Sequence, residues 1–137
     1  MKAAVAEKGL VVFDCILRGK ASHAAHPNPE NPILKIPDII KAIEKIKFKK
    51  VSKLLGPVKL TITQINAGNQ HNVVPSSVEM VLDVRVNELY SNEEVVELIK
   101  ENVNAQIYPR SVDLNSSSIS DSHPIVKAVN EIGIPVY

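Results

Sequence analysis

The most constraining feature of this sequence is a stretch after Pro75 in which apolar and mostly polar positions alternate. Its first set of positions carries apolar side chains throughout: Val78, Met80, Leu82, Val84 and Val86. The positions between them carry Glu79, Val81, Asp83 and Arg85. Successive side chains of a β-strand point to opposite faces, so this pattern predicts a strand with one buried face.

Five further segments show the periodicity of a strand or a helix. Strands are predicted at Leu10 to Arg18, Val58 to Asn66 and Arg110 to Asn115, where Val112 and Leu114 would face inward. Helices are predicted from Asn31 to Phe48, kinked at or beginning near Pro37, and from the capping box Ser91-Asn92-Glu93-Glu94 to a point before Pro109. This order predicts an α+β fold, a four-stranded antiparallel sheet with both helices on one face in a split βαβ arrangement.

Length and charge limit the classes of protein to which the chain can belong. The 137 residues allow one domain, and 16 Lys and Arg against 15 Asp and Glu leave a net charge of +1. We therefore expect no nucleic-acid partner. The sequence has no apolar run of the ~20 residues that a membrane span needs and no signal peptide, so we expect a cytoplasmic protein that does not bind membranes.

The last part of the chain differs from the rest. The segment Asn115 to Ser122 is rich in serine and is typical of a linker. Ser122-His123-Pro124 then predicts the start of a short helix that ends at Gly133. Ile134 to Tyr137 resembles the opening of a strand with no sheet of its own to join. We therefore predict one domain over residues 1–119, with residues 120–137 as a linker and the start of a return into a larger, missing domain.

A short loop after the first strand carries two histidines. It reads Gly19-Lys20-Ala21-Ser22-His23-Ala24-Ala25-His26-Pro27. Small residues allow the backbone around His23 to approach a partner closely, and the prolines stiffen the exit of the loop. A metal site needs several ligands on rigid elements, whereas His23 and His26 have only Glu30 as a carboxylate nearby. We therefore predict no metal site within this chain.

Three motifs together resemble one known family. They are the loop Gly19 to Pro27 with Asn31-Pro32-Ile33, the segment Ile65 to Gly68 leading to Asn72-Val73-Val74-Pro75, and Leu82-Asp83-Val84-Arg85. Over roughly residues 9 to 119 the chain resembles the lid or dimerization domain of zinc-dependent deacylases and peptidases. This family includes acetylornithine deacetylase, succinyl-diaminopimelate desuccinylase, aminoacylase and related carboxypeptidases. Leu55 to Val58 and Pro109 to Ser117 resemble most the acetylornithine or succinylornithine deacetylases of arginine biosynthesis.

The resemblance implies a larger parent enzyme. In that family a catalytic domain holds two zinc ions, and its metal ligands and general base would lie outside this chain. The resemblance also implies a homodimer that hydrolyses an N-acyl amino acid. On this interpretation the isolated chain is a fragment without activity of its own.

The resemblance also assigns three site residues. His23 matches a histidine that donates a hydrogen bond to the developing oxyanion in the active site of the other subunit. Asn72 and Arg85 match residues that bind substrate, and a guanidinium suits a substrate carboxylate. Each has a plainer alternative: His23 capping a neighbour, Asn72 ordering its own loop in an Asx-turn, and Arg85 forming an internal salt bridge.

A different class of function remains open on sequence alone. A free-standing ferredoxin-like module could bind a small ligand or a protein partner without catalysis, because this fold hosts many functions. Flanking coding sequence with His-x-Asp and a Glu-Glu pair would favour the enzyme fragment. Stabilisation of the isolated chain by an amino acid would favour the module.

Overall fold

The computed structural model describes residues 2–137. Its strands are β1 Ala6–Glu7, β2 Gly9–Arg18, β3 Ser22–His23, β4 Lys59–Asn66, β5 Val73–Val74, β6 Ser77–Val86, β7 Gln106–Pro109 and β8 Ser117–Ser118. A 3-10 turn, Pro32–Lys35, leads into helix α1, Ile36–Glu44. The other helices are α2, Asn92–Asn102, and α3, Pro124–Glu131.

The main sheet has four strands in the order β4-β6-β2-β7, and all its neighbours are antiparallel. At its centre β2 and β6 pair over their whole length, from Gly9 opposite Val86 to Arg18 opposite Ser77. The two strands with the clearest alternation in the sequence therefore form the middle of the sheet. The predicted α+β class and the antiparallel sheet are confirmed.

The hydrophobic core lies between one face of this sheet and helices α1 and α2. The inward residues of β2, Val11, Phe13, Cys15 and Leu17, pack with those of β6 and with buried residues of both helices. Burial raises the pKa of the Cys15 thiol to about 11, so the thiol stays protonated and unreactive at neutral pH. The opposite face, called the open face below, carries Asp14, Val81 and Tyr108, and within residues 2–137 no helix packs on it.

Helix α2 begins as the sequence predicts. The Ser91 hydroxyl accepts from the Glu94 backbone N–H, and the Glu94 carboxylate accepts from the Ser91 N–H. These reciprocal bonds satisfy two N–H groups that the first turn of a helix leaves without partners.

Helix α1 ends earlier than predicted, at Glu44 rather than Phe48. Pro37 lies in its first turn, which is one of the two predicted alternatives and is compatible with helix geometry. The residues after the helix are held by contacts from the β6–α2 connection. The Phe48 ring packs edge-on against Tyr90, and the Lys50 N–H donates to the Tyr90 hydroxyl. Beyond Glu44 the chain is thus held by distant contacts, although its apolar pattern continues.

The predicted last strand is wrong in position. The structure places it at Gln106–Pro109, paired with β2, rather than at Arg110 to Asn115. The Asn92 side chain donates to the carbonyls of Val112 and Leu114, which holds this segment outside the sheet. Val112 packs against the core, but Leu114 is largely exposed.

The two ends of the chain lie side by side. Strands β1 and β8 pair, and Ala3 forms a parallel bridge with Val136. Ile134 to Tyr137 belongs to no sheet among residues 2–137, and its Val136 bridges to Ala3 of the N-terminal segment. Helix α3 occupies the predicted position, with the His123 ring accepting from the Ile125 N–H at its start.

Candidate functional site

Two loops meet at the end of the sheet where β2 finishes and β6 begins. Beyond this end the short strands β3 and β5 pair, with Ser22 opposite Val74 and His23 opposite Val73. The Ala24 N–H donates to the Asn72 carbonyl at 2.9 Å. The structure therefore brings His23 and Asn72, which lie far apart in the sequence, onto adjacent backbone segments.

The His23 side chain is exposed rather than packed into its own domain. Its Nδ1 accepts a hydrogen bond from the Ala25 backbone N–H at 3.0 Å. Since Nδ1 uses its lone pair in this bond, the neutral ring carries its proton on Nε2. Within residues 2–137 the Nε2 atom has no hydrogen-bond partner, so this N–H is available to a group from outside the domain.

His26 lies next to His23 without completing a metal site. Its N–H donates to the His23 carbonyl, and the two ring centroids are 5.7 Å apart in an edge-to-face arrangement. A zinc site needs at least three protein ligands. In the part of the chain that the structure describes, no group of three His, Cys, Asp or Glu side chains is placed to hold a metal ion. These residues do not fit a zinc centre.

One residue of this loop was not identified from sequence. The Asn28 side chain donates to the Lys20 carbonyl and the Ser22 hydroxyl and accepts from the Glu30 N–H. The available signal was the segment Pro27-Asn28-Pro29, because Asn next to Pro favours turns in which the amide bonds to nearby backbone. The signal indicates a turn but not which residues the amide joins.

The Asn72 side chain is exposed. Among residues 2–137 it has no hydrogen-bond partner, so the Asx-turn alternative is not the arrangement in this structure. Both the donor and the acceptor of its amide are free. Its role in binding substrate stays a prediction.

Arg85 lies elsewhere, on the open face of the sheet. Its guanidinium makes two hydrogen bonds to Asp83, at 2.7 and 3.1 Å, and these raise the pKa of Arg85. Its strand begins at Ser77, so at ~3.4 Å per residue roughly 27 Å of strand separates Arg85 from the His23 end. The structure therefore pairs Arg85 with an acid of its own strand and does not bring it to His23 and Asn72.

The chain matches a known domain family over most of its length. The sequence profile described as "Peptidase dimerisation domain" matches residues 5–110. Curated relatives are named succinyl-diaminopimelate desuccinylase. The protein from Helicobacter pylori is 30% identical over 91% of this chain and 33% of its own length. That from Sulfurimonas denitrificans is 33% identical over 72% of this chain and 28% of its own length. The chain thus spans about a third of the length of the curated relatives it matches.

Solved structures show the same fold. A metallo-carboxypeptidase from Sulfolobus solfataricus superposes with a TM-score of 0.74 at 17% identity, covering 98% of this chain and 52% of the other. An aminopeptidase from Bacillus cereus superposes with a TM-score of 0.62 at 20% identity, covering 99% and 39%. Within residues 2–137, none of the helices combines the length and the hydropathy that a membrane-spanning segment requires.

Proposed function

The chain belongs to the peptidase dimerisation domain family, and from this membership we propose that it is the dimerisation and lid domain of a larger zinc-dependent amidohydrolase. The curated relatives are about three times longer than the part this chain matches, which leaves room for a catalytic domain. The main observation behind the proposal is the exposed His23 ring, whose Nε2–H is free beside Asn72. Residues 120–137 are proposed to lead back into the catalytic domain.

The position of the chain ends supports an insertion into another domain. Ala3, in the N-terminal segment, pairs with Val136, and β1 pairs with β8. A domain whose ends are adjacent can be inserted into a second domain without disturbing either core. Both connections therefore leave from one end of the sheet.

The proposed chemistry of His23 concerns the substrate carbonyl. When the amide carbon is attacked, negative charge develops on its oxygen and must be met by donors that are already oriented. The Nε2–H of neutral His23 is such a donor and adds no charge to the site. Loss of one donor of this kind costs about 3 kcal/mol of transition-state stabilisation.

The geometry supports donation in trans. His23 and Asn72 lie beyond the end of β2 and β6 that is opposite to the two chain ends, and β2 contains 10 residues. This length corresponds to roughly 30 Å. A catalytic domain attached at the near end is therefore distant from its own His23, whereas the catalytic domain of a second subunit can approach it.

Arg85 is proposed to act in its own subunit. It is paired in register with Leu10, close to the end of the sheet from which the chain ends leave. Two of its nitrogens are bound to Asp83, and its remaining N–H groups are able to bind a substrate carboxylate. One substrate would then contact Arg85 of one subunit and both His23 and Asn72 of the other.

The dimer is proposed to form through β4. The other edge strand, β7, has only four residues and ends in Pro109, which has no N–H to donate. Strand β4 has eight residues, and a groove between it and α1 is lined by apolar side chains, including Ile46, Phe48, Leu60 and Ile62. An edge strand with an apolar margin suits pairing with a second copy about a two-fold axis.

The substrate is proposed to be an N-acyl diamino acid, and the enzyme to act in the cytoplasm. The curated relatives carry the name succinyl-diaminopimelate desuccinylase, whereas Leu55 to Val58 and Pro109 to Ser117 favour N-acetylornithine or N-succinylornithine. Comparing kcat/KM of the intact enzyme for N-succinyl-diaminopimelate, N-succinylornithine and N-acetylornithine decides between them.

Mixed dimers of the intact enzyme test the proposal. A His23→Ala subunit is combined with a subunit whose metal ligands in the catalytic domain are removed, and activity is measured after mass analysis has shown heterodimers. Each homodimer is inactive, but we expect one working site in the heterodimer, because the metal-free subunit supplies His23 in trans. Heterodimers without activity would contradict the proposal.

An Arg85→Ala subunit in the same experiment is the matched control. It is expected to stay inactive when mixed with the metal-free subunit, because Arg85 serves its own catalytic domain. Recovery of activity would show that Arg85 also acts across the interface.

A further inference from the structure

The connections inside the His23 loop identify one more residue that acts on the site. We propose that Asn28 is a positioning residue that holds the loop from Lys20 to Glu30 and thereby fixes the orientation of the His23 ring. The catalytic meaning of this role rests on the proposed function of His23. The structural role does not depend on it.

Asn28 uses both ends of its side-chain amide. Its Nδ2 donates to the Lys20 carbonyl at 2.7 Å and to the Ser22 hydroxyl at 2.9 Å. Its Oδ1 accepts from the Glu30 N–H at 2.9 Å. The side chain is half-buried although most of the loop is exposed. One amide therefore joins the two arms of the loop. The outgoing arm is Lys20 to His23, and the returning arm ends at Glu30.

The base of the loop is narrow where Asn28 spans it. The Lys20 N–H donates to the Glu30 carbonyl at 2.9 Å. A Cβ atom on Gly19 would clash with the same carbonyl oxygen, so only glycine allows the two arms to approach this closely. Compact loops whose ends are close and whose own side chains fill the interior keep a defined shape.

This bracing extends to the His23 ring. Ser22, which Asn28 holds, precedes His23 in β3, and the turn after His23 places the Ala25 N–H against Nδ1. That bond selects the tautomer with its proton on Nε2. Without Asn28 the outgoing arm loses two of its connections, so the turn that places the Ala25 N–H against the ring is held less firmly. A hydrogen-bond donor that lacks its supporting contacts is poorly oriented, and it therefore stabilises the transition state less.

The first test uses the 137-residue chain and needs no substrate. Long-range 1H–15N correlation spectra report which ring nitrogen of His23 is protonated, and amide hydrogen exchange reports the bonds of Lys20, Ala25 and Glu30. In Asn28→Ala we expect the ratio of the Nε2–H to the Nδ1–H tautomer to fall about fivefold, the effect of losing one hydrogen bond. Exchange at the three amides is expected to rise by at least about fivefold for the same reason.

Two further variants make the result specific. Asn69→Ala, an exposed asparagine in the neighbouring loop, is expected to leave both measurements unchanged. Asn28→Asp keeps an acceptor for the Glu30 N–H and for the Ser22 hydroxyl, which can donate to it, but loses the donor to the Lys20 carbonyl. It is therefore expected to protect Glu30 and to change the His23 tautomers less than Asn28→Ala does. Asn28→Ala with unaltered His23 tautomers and exchange rates would overturn the proposal, as would an equal effect of Asn69→Ala.

The intact enzyme supplies an independent measurement. Asn28→Ala is expected to lower kcat between 10-fold and 100-fold, roughly the range for residues that orient a catalytic group, with little change in KM. In the background of His23→Ala the same change is expected to have no further effect on kcat. If the spectra change but His23→Ala itself leaves kcat intact, the proposed function fails while the positioning role stands.

Discussion

At the scale of single residues, buried asparagines determine the shape of several connections. Asn87 is fully buried; its Nδ2 donates to the carbonyls of Lys50 and Gly56, and its Oδ1 accepts from the Leu89 N–H. Both the nitrogen and the oxygen of its side-chain amide thus have backbone partners. Buried backbone groups without partners are costly, so Asn87 stabilises the whole connection between α1 and β4.

Replacing Asn87 by alanine is expected to lower the free energy of unfolding by about 3 kcal/mol. It leaves the Lys50 carbonyl and the Leu89 N–H without their partners and removes one of the two donors to the Gly56 carbonyl, which keeps the Ser52 N–H. Urea unfolding followed by circular dichroism measures this change. Asn72→Ala, which removes an exposed amide without a side-chain partner among residues 2–137, is the control and is expected to change stability by less than about 0.5 kcal/mol. Equal effects of the two substitutions would contradict this account of Asn87.

At the scale of elements, β7 is held to β2 by more than its short ladder. Arg110, which follows β7, donates two hydrogen bonds to Asp14 on the open face, at 2.9 and 3.2 Å, and its N–H donates to the Val12 carbonyl. The hydrogen bond from Arg110 lowers the pKa of Asp14 below its ordinary value. This pair extends the contact between the two strands past the end of their ladder.

The Asp14 pair gives stability a dependence on pH. Because the folded state favours the ionised carboxylate, the pair stabilises the protein above the unfolded-state pKa of about 4, and this contribution is lost as pH falls through the lower folded-state pKa. We expect Asp14→Asn to be less stable than wild type at pH 7 and the difference to shrink toward pH 3. Urea unfolding at pH 7 and at pH 3 measures this difference in the free energy of unfolding. Glu79→Gln, on the same face of the sheet, is the control. A difference that does not change with pH would contradict the assignment.

The proposed pairing of two β4 strands in the dimer gives a second prediction at this scale. Ile65 in β4 is 48% exposed, so Ile65→Lys is expected to leave the monomer folded. It is expected to weaken pairing with a second β4 at least about tenfold. This corresponds to a loss of ~1.4 kcal/mol, which the burial of one isoleucine can account for. Light scattering or sedimentation over a concentration series measures the association. Leu89→Lys, 43% exposed and outside β4, is the control. Equal association of wild type and Ile65→Lys would exclude this edge.

At the scale of the whole molecule, the domain contains a complete core, whereas the proposed function assigns it only part of an active site. Its sheet and helices bury a continuous cluster from Val11 to Ile107. Its candidate donor is exposed, and within residues 2–137 no cluster of ligands is placed to hold a metal ion. This combination is expected of a domain that folds as a unit and completes the site of another.

The isolated chain is accordingly expected to be inactive. Purified chain with added zinc should hydrolyse neither N-acetylornithine nor N-succinyl-diaminopimelate, because the proposed donor has no catalytic domain to complete. Release of the free amino group is the measurement, with the intact enzyme as the positive control. Zinc-dependent turnover by the chain alone would show a metal site that the present geometry does not contain.

The elements predicted well are those specified by local signals. The alternation in β2 and β6 fixes which face is buried, since a shift of one residue would turn every apolar side chain outward. The capping box fixes the start of α2, because its two bonds join residues only three positions apart. The loop with His23 was identified from its small residues and the segment with Asn72 from the family resemblance, and the roles of both residues stay predictions.

The sequence by itself therefore determined the α+β class, the central strands and the start of α2, because each depends on neighbouring residues. Only the tertiary structure decided the end of α1, the position of β7, the pairing of the chain ends, the separation of Arg85 from His23 and the bracing by Asn28. Asn92 holds Val112 and Leu114 across a gap of at least 20 residues, and β7 pairs with a strand at the opposite end of the sequence. Such contacts form between segments that the fold brings together, and a local pattern of apolar and polar residues does not specify its partner.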